Sequence, residues 1–87
     1  MIEKEEIADW RQRIDSIDSE ILKLLEERFE ICKKIGEFKK ENELPVEDVE
    51  REKQVIEHKK QLSDLDDDFV EKLFELIMKE SKRLQEE

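Results

Sequence analysis

The feature that most constrains this chain is a stripe of apolar residues that recur at alternating spacings of three and four. Such spacing keeps one side of an α-helix facing a partner helix. One polar side chain, Arg28, interrupts the stripe. The members of this first-helix stripe are Ile7, Trp10, Ile14, Ile17, Ile21, Leu24, Arg28, Ile31, Ile35 and Phe38.

Three helices account for the chain. The first is predicted over about residues 5–42, and it ends there because Pro45 disfavours helical geometry at the residue before it. A second helix is predicted at about 47–62 and a third at about 67–86, each with its own apolar side. The aspartates of SDLDDD, residues 63–68, can cap the third helix and suit its positive dipole end. We expect an all-α chain of one long and two shorter helices in a single domain, 1–87.

The composition agrees with long exposed helices. Charged residues make up 51% of the chain, and it contains one glycine and one proline. Intrinsic disorder is the weaker interpretation, because the apolar residues are periodic rather than sparse.

Charge and cysteine content exclude several functional classes. The net charge of −10 disfavours nucleic acid and anionic membrane surfaces as partners. The N-terminus does not resemble a targeting segment, and no apolar run reaches spanning length, so a cytoplasmic location is expected. Cys32 and His58 have no neighbours at metal-ligand spacing, which predicts neither a disulfide nor a metal site. We interpret Cys32 as a small core residue and His58 as solvent-exposed.

The length of the first helix predicts an oligomer. A helix from about residue 5 to 42 is roughly 57 Å long, whereas a compact monomer of this size has a diameter of about 30 Å. The two shorter helices cannot cover the whole stripe. We therefore expect an intertwined homodimer, in which a second copy of the long helix covers the rest.

Polar residues on the inward sides of the helices predict a pocket. A guanidinium that is buried between helices destabilises the protein by several kcal/mol unless it is paired with an anionic group. For Arg28 alone, an internal salt bridge is the favoured interpretation, and for any single charged residue simple exposure is the alternative. Several such residues together favour a polar pocket between the helices. The others on or beside apolar stripes are Lys39, Asp48, Arg51, Glu52, Ser81 and Gln85.

These residues stand in motifs that resemble the small all-helical class of chorismate mutases over essentially the whole chain. The matching stretches are WRQRIDSID, LLEERFEICKKIGEFK, PVEDVEREK and FELIMKESKRLQ. The resemblance implies an intertwined dimeric isomerase of aromatic amino-acid biosynthesis. Its substrate would be chorismate and its product prephenate, formed by an intramolecular Claisen rearrangement without a cofactor.

The resemblance also implies catalytic residues. Arg28 matches an arginine that grips a substrate carboxylate. Lys39 matches a lysine that contacts a carboxylate and the ether oxygen of the breaking bond, and Gln85 a side chain that donates to the same oxygen. Glu52 matches a residue beside the ring hydroxyl.

Four further positions match substrate-binding residues. Asp48 also lies near the ring hydroxyl, Arg51 near the pocket, and Ser81 matches a polar contact. Arg11 matches an arginine supplied by the other subunit. Independently of the resemblance, Arg11 lies seventeen residues before Arg28, about 25 Å along the helix and about 100° around it, so it cannot share a pocket within its own chain.

Two alternatives remain at the level of sequence. The first is isochorismate pyruvate lyase, an enzyme that resembles this family and catalyses another reaction on the same scaffold. Assays with both substrates distinguish the two reactions. The second is a non-catalytic helical dimerisation module, which would tolerate apolar residues in place of Arg28, Lys39, Glu52 and Gln85. The lack of a Ser, His and Asp constellation does not count against an enzyme, because a pericyclic rearrangement needs neither a nucleophile nor a proton shuttle.

Overall fold

Three helices form the protein. The structure is a computed structural model, and it describes residues 2–86, with side-chain surroundings from residue 4 onward. The helices are α1 (Ile2–Glu41), α2 (Val49–Leu62) and α3 (Asp67–Glu86), and the described residues contain no strand. The predicted all-α chain with one long and two shorter helices is therefore confirmed. α1 already has helical geometry at residue 2 rather than 5, and α2 begins at 49 rather than 47.

α1 ends in a Schellman motif. The Leu44 amide donates to the Lys39 carbonyl at 2.8 Å, and the Glu43 amide donates to the Lys40 carbonyl at 3.3 Å. Glu43 takes the left-handed position of the motif, with φ 55°. These hydrogen bonds satisfy the last carbonyls of the helix and reverse the chain just before the proline.

Aspartates cap the other two helices. Asp48 has extended backbone geometry, and its carboxylate accepts a 3.0 Å hydrogen bond from the Arg51 amide. Asp66 accepts a 3.0 Å hydrogen bond from the Phe69 amide in the same manner. The predicted capping of the third helix by an aspartate is confirmed. Because Asp48 is itself the cap, α2 begins one residue after it.

The chain divides into two units, Met1–Glu30 and Ile31–Glu87. The first is helical throughout its described residues. The apolar residues of its stripe are exposed, from 42% at Ile7 to 63% at Leu24. In residues 2–86, no helix combines the length and the apolar content needed to cross a membrane. An exposed apolar stripe of this length is typical of a protein–protein contact surface.

The second unit contains the buried core. Cys32 near the end of α1, Val55 on α2, and Val70 and Ile77 on α3 are all buried. The interpretation of Cys32 as a core residue is confirmed, since only 7% of its surface is exposed. His58 is exposed, as expected. The core thus joins the last turns of α1 to the two shorter helices.

Candidate active site

α1 and α3 approach closely at Gly36. A Cβ atom at this position would lie 2.7 Å from the Cα and 2.8 Å from the carbonyl oxygen of Gln85. Only glycine fits so close to the backbone of another helix. Lys39 follows Gly36 by three residues, so it projects from the same side of α1. The structure thereby brings Gln85 against Gly36, one turn before Lys39 on α1; that Lys39 and Gln85 both contact the ether oxygen stays a prediction.

The Lys39 ammonium is partly buried at the end of α1. It donates a 2.9 Å hydrogen bond to the carbonyl of Val46, in the segment between α1 and α2. An ammonium group carries three protons. The bond to Val46 orients the side chain and leaves two donors for a ligand.

The Gln85 amide has unused hydrogen-bonding capacity. Its oxygen is buried and has no hydrogen-bond partner among the described residues. Buried amide oxygens are normally paired, so an unpaired one indicates a position for a ligand group. Rotation of the terminal amide would present its NH₂ group at the same place. A cavity of about 130 Å³ adjoins this side chain, lined by Lys33, Glu37, Lys40, Leu84 and Gln85.

Ser81 lies one turn before Gln85 on the inward side of α3. It is buried, with 5% of its surface exposed. Its hydroxyl donates a 2.9 Å hydrogen bond to the Ile77 carbonyl. The hydroxyl proton is thus used within the helix.

Glu52 is partly buried on α2 and forms an ion pair with α3. The Lys82 ammonium lies 2.8 Å from a Glu52 carboxylate oxygen and 3.6 Å from a Glu47 carboxylate oxygen. The hydrogen bond to Glu52 and the charges of both carboxylates raise the pKa of Lys82 above its ordinary value, against a smaller desolvation effect. Lys82 is therefore a cation at neutral pH.

Lys82 is a residue that sequence reasoning missed. One signal was available, since Lys82 lies three residues before Gln85 and so on the same side of α3. Its position opposite Glu52 depends on how α2 packs against α3, and no sequence pattern specifies that register.

The remaining candidates in the second unit, Asp48 and Arg51, are exposed. They lie at the start of α2, within one turn of Glu52. The role of Asp48 as a helix cap accounts for its position without a substrate. Its expected contact with a ring hydroxyl, and the place of Arg51 near the pocket, stay predictions.

Arg11 and Arg28 belong to the Met1–Glu30 unit. Arg11 is exposed and Arg28 is partly buried. Both lie in the middle of a continuous helix, which holds them at the separation of about 25 Å expected for seventeen residues.

Residues 10–86 match the family model described as chorismate mutase type II. The chain belongs to this family. It is 36% identical over 90 residues to a chorismate mutase of Methanocaldococcus jannaschii, a match that covers 100% of this chain and 89% of the relative. These two matches confirm the predicted activity, that of a chorismate mutase, which is an isomerase.

Other similar proteins support the same family. A bifunctional chorismate mutase/prephenate dehydratase of Aquifex aeolicus is 47% identical over 53 residues, 61% of this chain and 15% of that protein. Such bifunctional relatives place chorismate mutases in aromatic amino-acid biosynthesis. Among solved structures, a conserved hypothetical protein from Pyrococcus furiosus superposes with a TM-score of 0.73 at 39% identity, covering 86% of this chain and 88% of that one.

Proposed function

We propose that the chain, as one domain of residues 1–87, converts chorismate to prephenate by positioning the dianionic substrate and stabilising charge on its ether oxygen. The observation that supports this mechanism is the contact between Gly36 and the backbone of Gln85, because Lys39 follows Gly36 by one helical turn. The reaction breaks a C–O bond and forms a C–C bond within one molecule. It needs no external proton donor or cofactor, so fixed charges and hydrogen-bond donors suffice.

Positioning comes first in this mechanism. Free chorismate is flexible, and its enolpyruvyl side chain must lie over the ring before bonds can rearrange. Arg28 binds one carboxylate and Arg11 of the other subunit binds in the same pocket. Paired guanidinium–carboxylate contacts are directional, so they hold the reactive arrangement.

Electrostatic stabilisation follows. Negative charge grows on the ether oxygen as the C–O bond breaks, and the Lys39 ammonium and the Gln85 amide donate to it. Such donors stabilise the transition state more than the ground state. The two Lys39 protons not used by Val46, and the unpaired end of the Gln85 amide, support this assignment.

The substrate ring is held by the start of α2. Glu52 and Asp48 lie beside the ring hydroxyl, with Arg51 near the pocket and Ser81 as a polar contact. Burial of Ser81 and partial burial of Glu52 support these two roles.

A homodimer completes the site in this proposal. The exposed first-helix stripe supports a second copy as its cover. The distance between Arg11 and Arg28 along one helix supports donation of Arg11 to the pocket of the partner. A cytoplasmic location is part of the same proposal.

Mixing two inactive variants tests the shared site. Neither Arg11→Ala nor Arg28→Ala should form an active homodimer. A mixed dimer has one pocket with both arginines, so co-refolding equal amounts should recover about a quarter of wild-type turnover, since half of the dimers are mixed and each has one intact site of two. The assay follows the loss of chorismate absorbance and identifies prephenate, with isochorismate as the competing substrate.

The control mixture combines Arg28→Ala with Lys39→Ala. Both residues are assigned to the same subunit's pocket, so no mixed dimer contains an intact site and activity should stay lost. Failure of the Arg11 and Arg28 variants to complement, or equal recovery in the control mixture, would contradict the shared site.

A further inference from the structure

An ion pair joins α2 to α3 beside the candidate site. The Lys82 ammonium lies 2.8 Å from Glu52, and 33% of the lysine side chain and 25% of the glutamate side chain are exposed. The Glu47 carboxylate lies 3.6 Å from the same ammonium. Charge-assisted hydrogen bonds of this length are among the stronger contacts in proteins, and partial burial reduces their screening by solvent.

We propose that Lys82 is a positioning residue that holds the Glu52 carboxylate in one orientation for the substrate. The inference rests on the proposed function, because it takes Glu52 as a contact to the substrate ring. Lys82 itself needs no contact with the substrate.

The backbone of Lys82 is well placed for this role. Its neighbour Ser81 is buried and hydrogen-bonded to Ile77, so the core of the second unit fixes this turn of α3. The lysine side chain reaches from that fixed turn to Glu52. A glutamate has three side-chain torsions, and a hydrogen bond from a fixed donor selects one arrangement among them.

The surroundings of the ion pair favour a defined geometry. Lys82 and Glu52 lie in a groove of about 420 Å³ between α2 and α3. Apolar side chains of Val49, Ile56 and Met78 line part of this groove. A carboxylate beside apolar surface loses some hydration, so its pairing with an ammonium is more favourable than on an open surface.

A purely structural role for Lys82 is the competing explanation, and the protein contains a matched control for it. Lys60 on α2 lies 3.1 Å from Glu71 on α3, near the other end of the same helix pair. Both ion pairs join the same two helices and are partly exposed. Only the pair with Lys82 includes a residue assigned to the substrate pocket.

The experiment compares the kinetics of five variants: Lys82→Met, Lys82→Arg, Glu52→Gln, the double variant Lys82→Met/Glu52→Gln, and Lys60→Met. Lys82→Met should lower kcat/KM about tenfold, the usual size for loss of one charged hydrogen bond. Lys82→Arg should recover most of that loss. In the Glu52→Gln background, Lys82→Met should cause little further loss, because there is no carboxylate left to orient.

Stability measurements separate the two explanations. Lys60→Met and Lys82→Met should lower the thermal midpoint by similar amounts, while Lys60→Met keeps wild-type kcat/KM. Circular dichroism checks that each variant is folded, and Lys82→Gln replaces Lys82→Met if the methionine variant loses its helices.

Two results would overturn the inference alone: a kcat/KM of Lys82→Met equal to that of Lys60→Met, or a full tenfold loss that persists when Glu52 is already glutamine. Wild-type kcat/KM in Glu52→Gln would instead overturn the role of Glu52 in the proposed function, and the inference with it. The complementation of Arg11 and Arg28 variants tests the rest of that function separately.

Discussion

Glu43 adopts the left-handed backbone conformation that the Schellman motif requires. Among the described residues other than glycine, it alone has a positive φ, at 55°. In this region the Cβ atom of an L-residue crowds the following carbonyl oxygen, at a cost of about 1–2 kcal/mol. Glycine is the usual residue at such a position. The end of α1 therefore contains local strain that the surrounding hydrogen bonds offset.

Glu43→Gly should stabilise the protein by about 0.5–1 kcal/mol, since relief of strain exceeds the extra backbone entropy of glycine in the unfolded chain. Urea denaturation measures the change. Lys34→Gly, at an exposed position inside α1, is the control and should destabilise by about 1 kcal/mol. A loss of stability in Glu43→Gly as large as in the control would show that the native conformation is not strained.

Lys39→Ala should reduce kcat/KM by a hundredfold or more, because loss of one donor to the developing oxyanion costs on the order of 3 kcal/mol. Steady-state loss of chorismate absorbance gives the rate, and circular dichroism confirms the helices. Lys34→Ala removes an exposed ammonium from the same helix and should keep normal activity. Near-normal turnover of Lys39→Ala would refute the assigned role.

At the scale of helices, the contact between α1 and α3 depends on the missing side chain of Gly36. The Cα and the carbonyl oxygen of Gln85 lie 2.7 and 2.8 Å from where a Cβ would be. From the sequence, Gly36 stands out only as a weak helix former and as part of the G..K spacing. The reason for a glycine at this position appears only in the folded structure, because the Gln85 atoms that it accommodates are 49 residues further along the chain.

Gly36→Ala tests this contact. The added methyl group must displace the end of α3 from α1, with an overpacking cost of about 1–3 kcal/mol, while alanine gains about 1 kcal/mol of helix propensity. We expect unchanged or slightly lower stability but a loss of activity of about a hundredfold, since Gln85 is displaced from its position in the proposed site. Thermal unfolding and turnover are measured together. Wild-type turnover in this variant would contradict the proposed convergence of the two donors.

At the scale of the whole molecule, the exposed first-helix stripe favours association with a partner. α1 has 40 residues and is about 60 Å long. Its stripe residues between Ile7 and Leu24 are all at least 42% exposed. Large apolar side chains left in water favour association, and each isoleucine that becomes buried contributes about 1.5–3 kcal/mol. In a symmetric dimer every such residue contributes twice.

Ile14→Glu should convert the proposed dimer to a monomer and abolish turnover, because in that dimer it would replace two isoleucines between the long helices with two charges. Sedimentation at micromolar concentration reports the mass. Gln12→Glu, which adds the same charge on the opposite side of α1, is the control and should stay dimeric. A wild-type protein that sediments as a folded monomer would refute the dimer.

The sequence alone determined the number, type and approximate ends of the helices. Apolar periodicity, Pro45 and the capping aspartates act within a few residues, so these features can be predicted locally. The motifs were also sufficient to indicate the family, together with the candidate residues at family spacing. Contacts between helices followed only from the tertiary structure: the approach of Gln85 to Gly36, and Lys82 opposite Glu52. The physical reason is that such contacts depend on the register between helices, which side-chain packing sets among residues far apart in sequence.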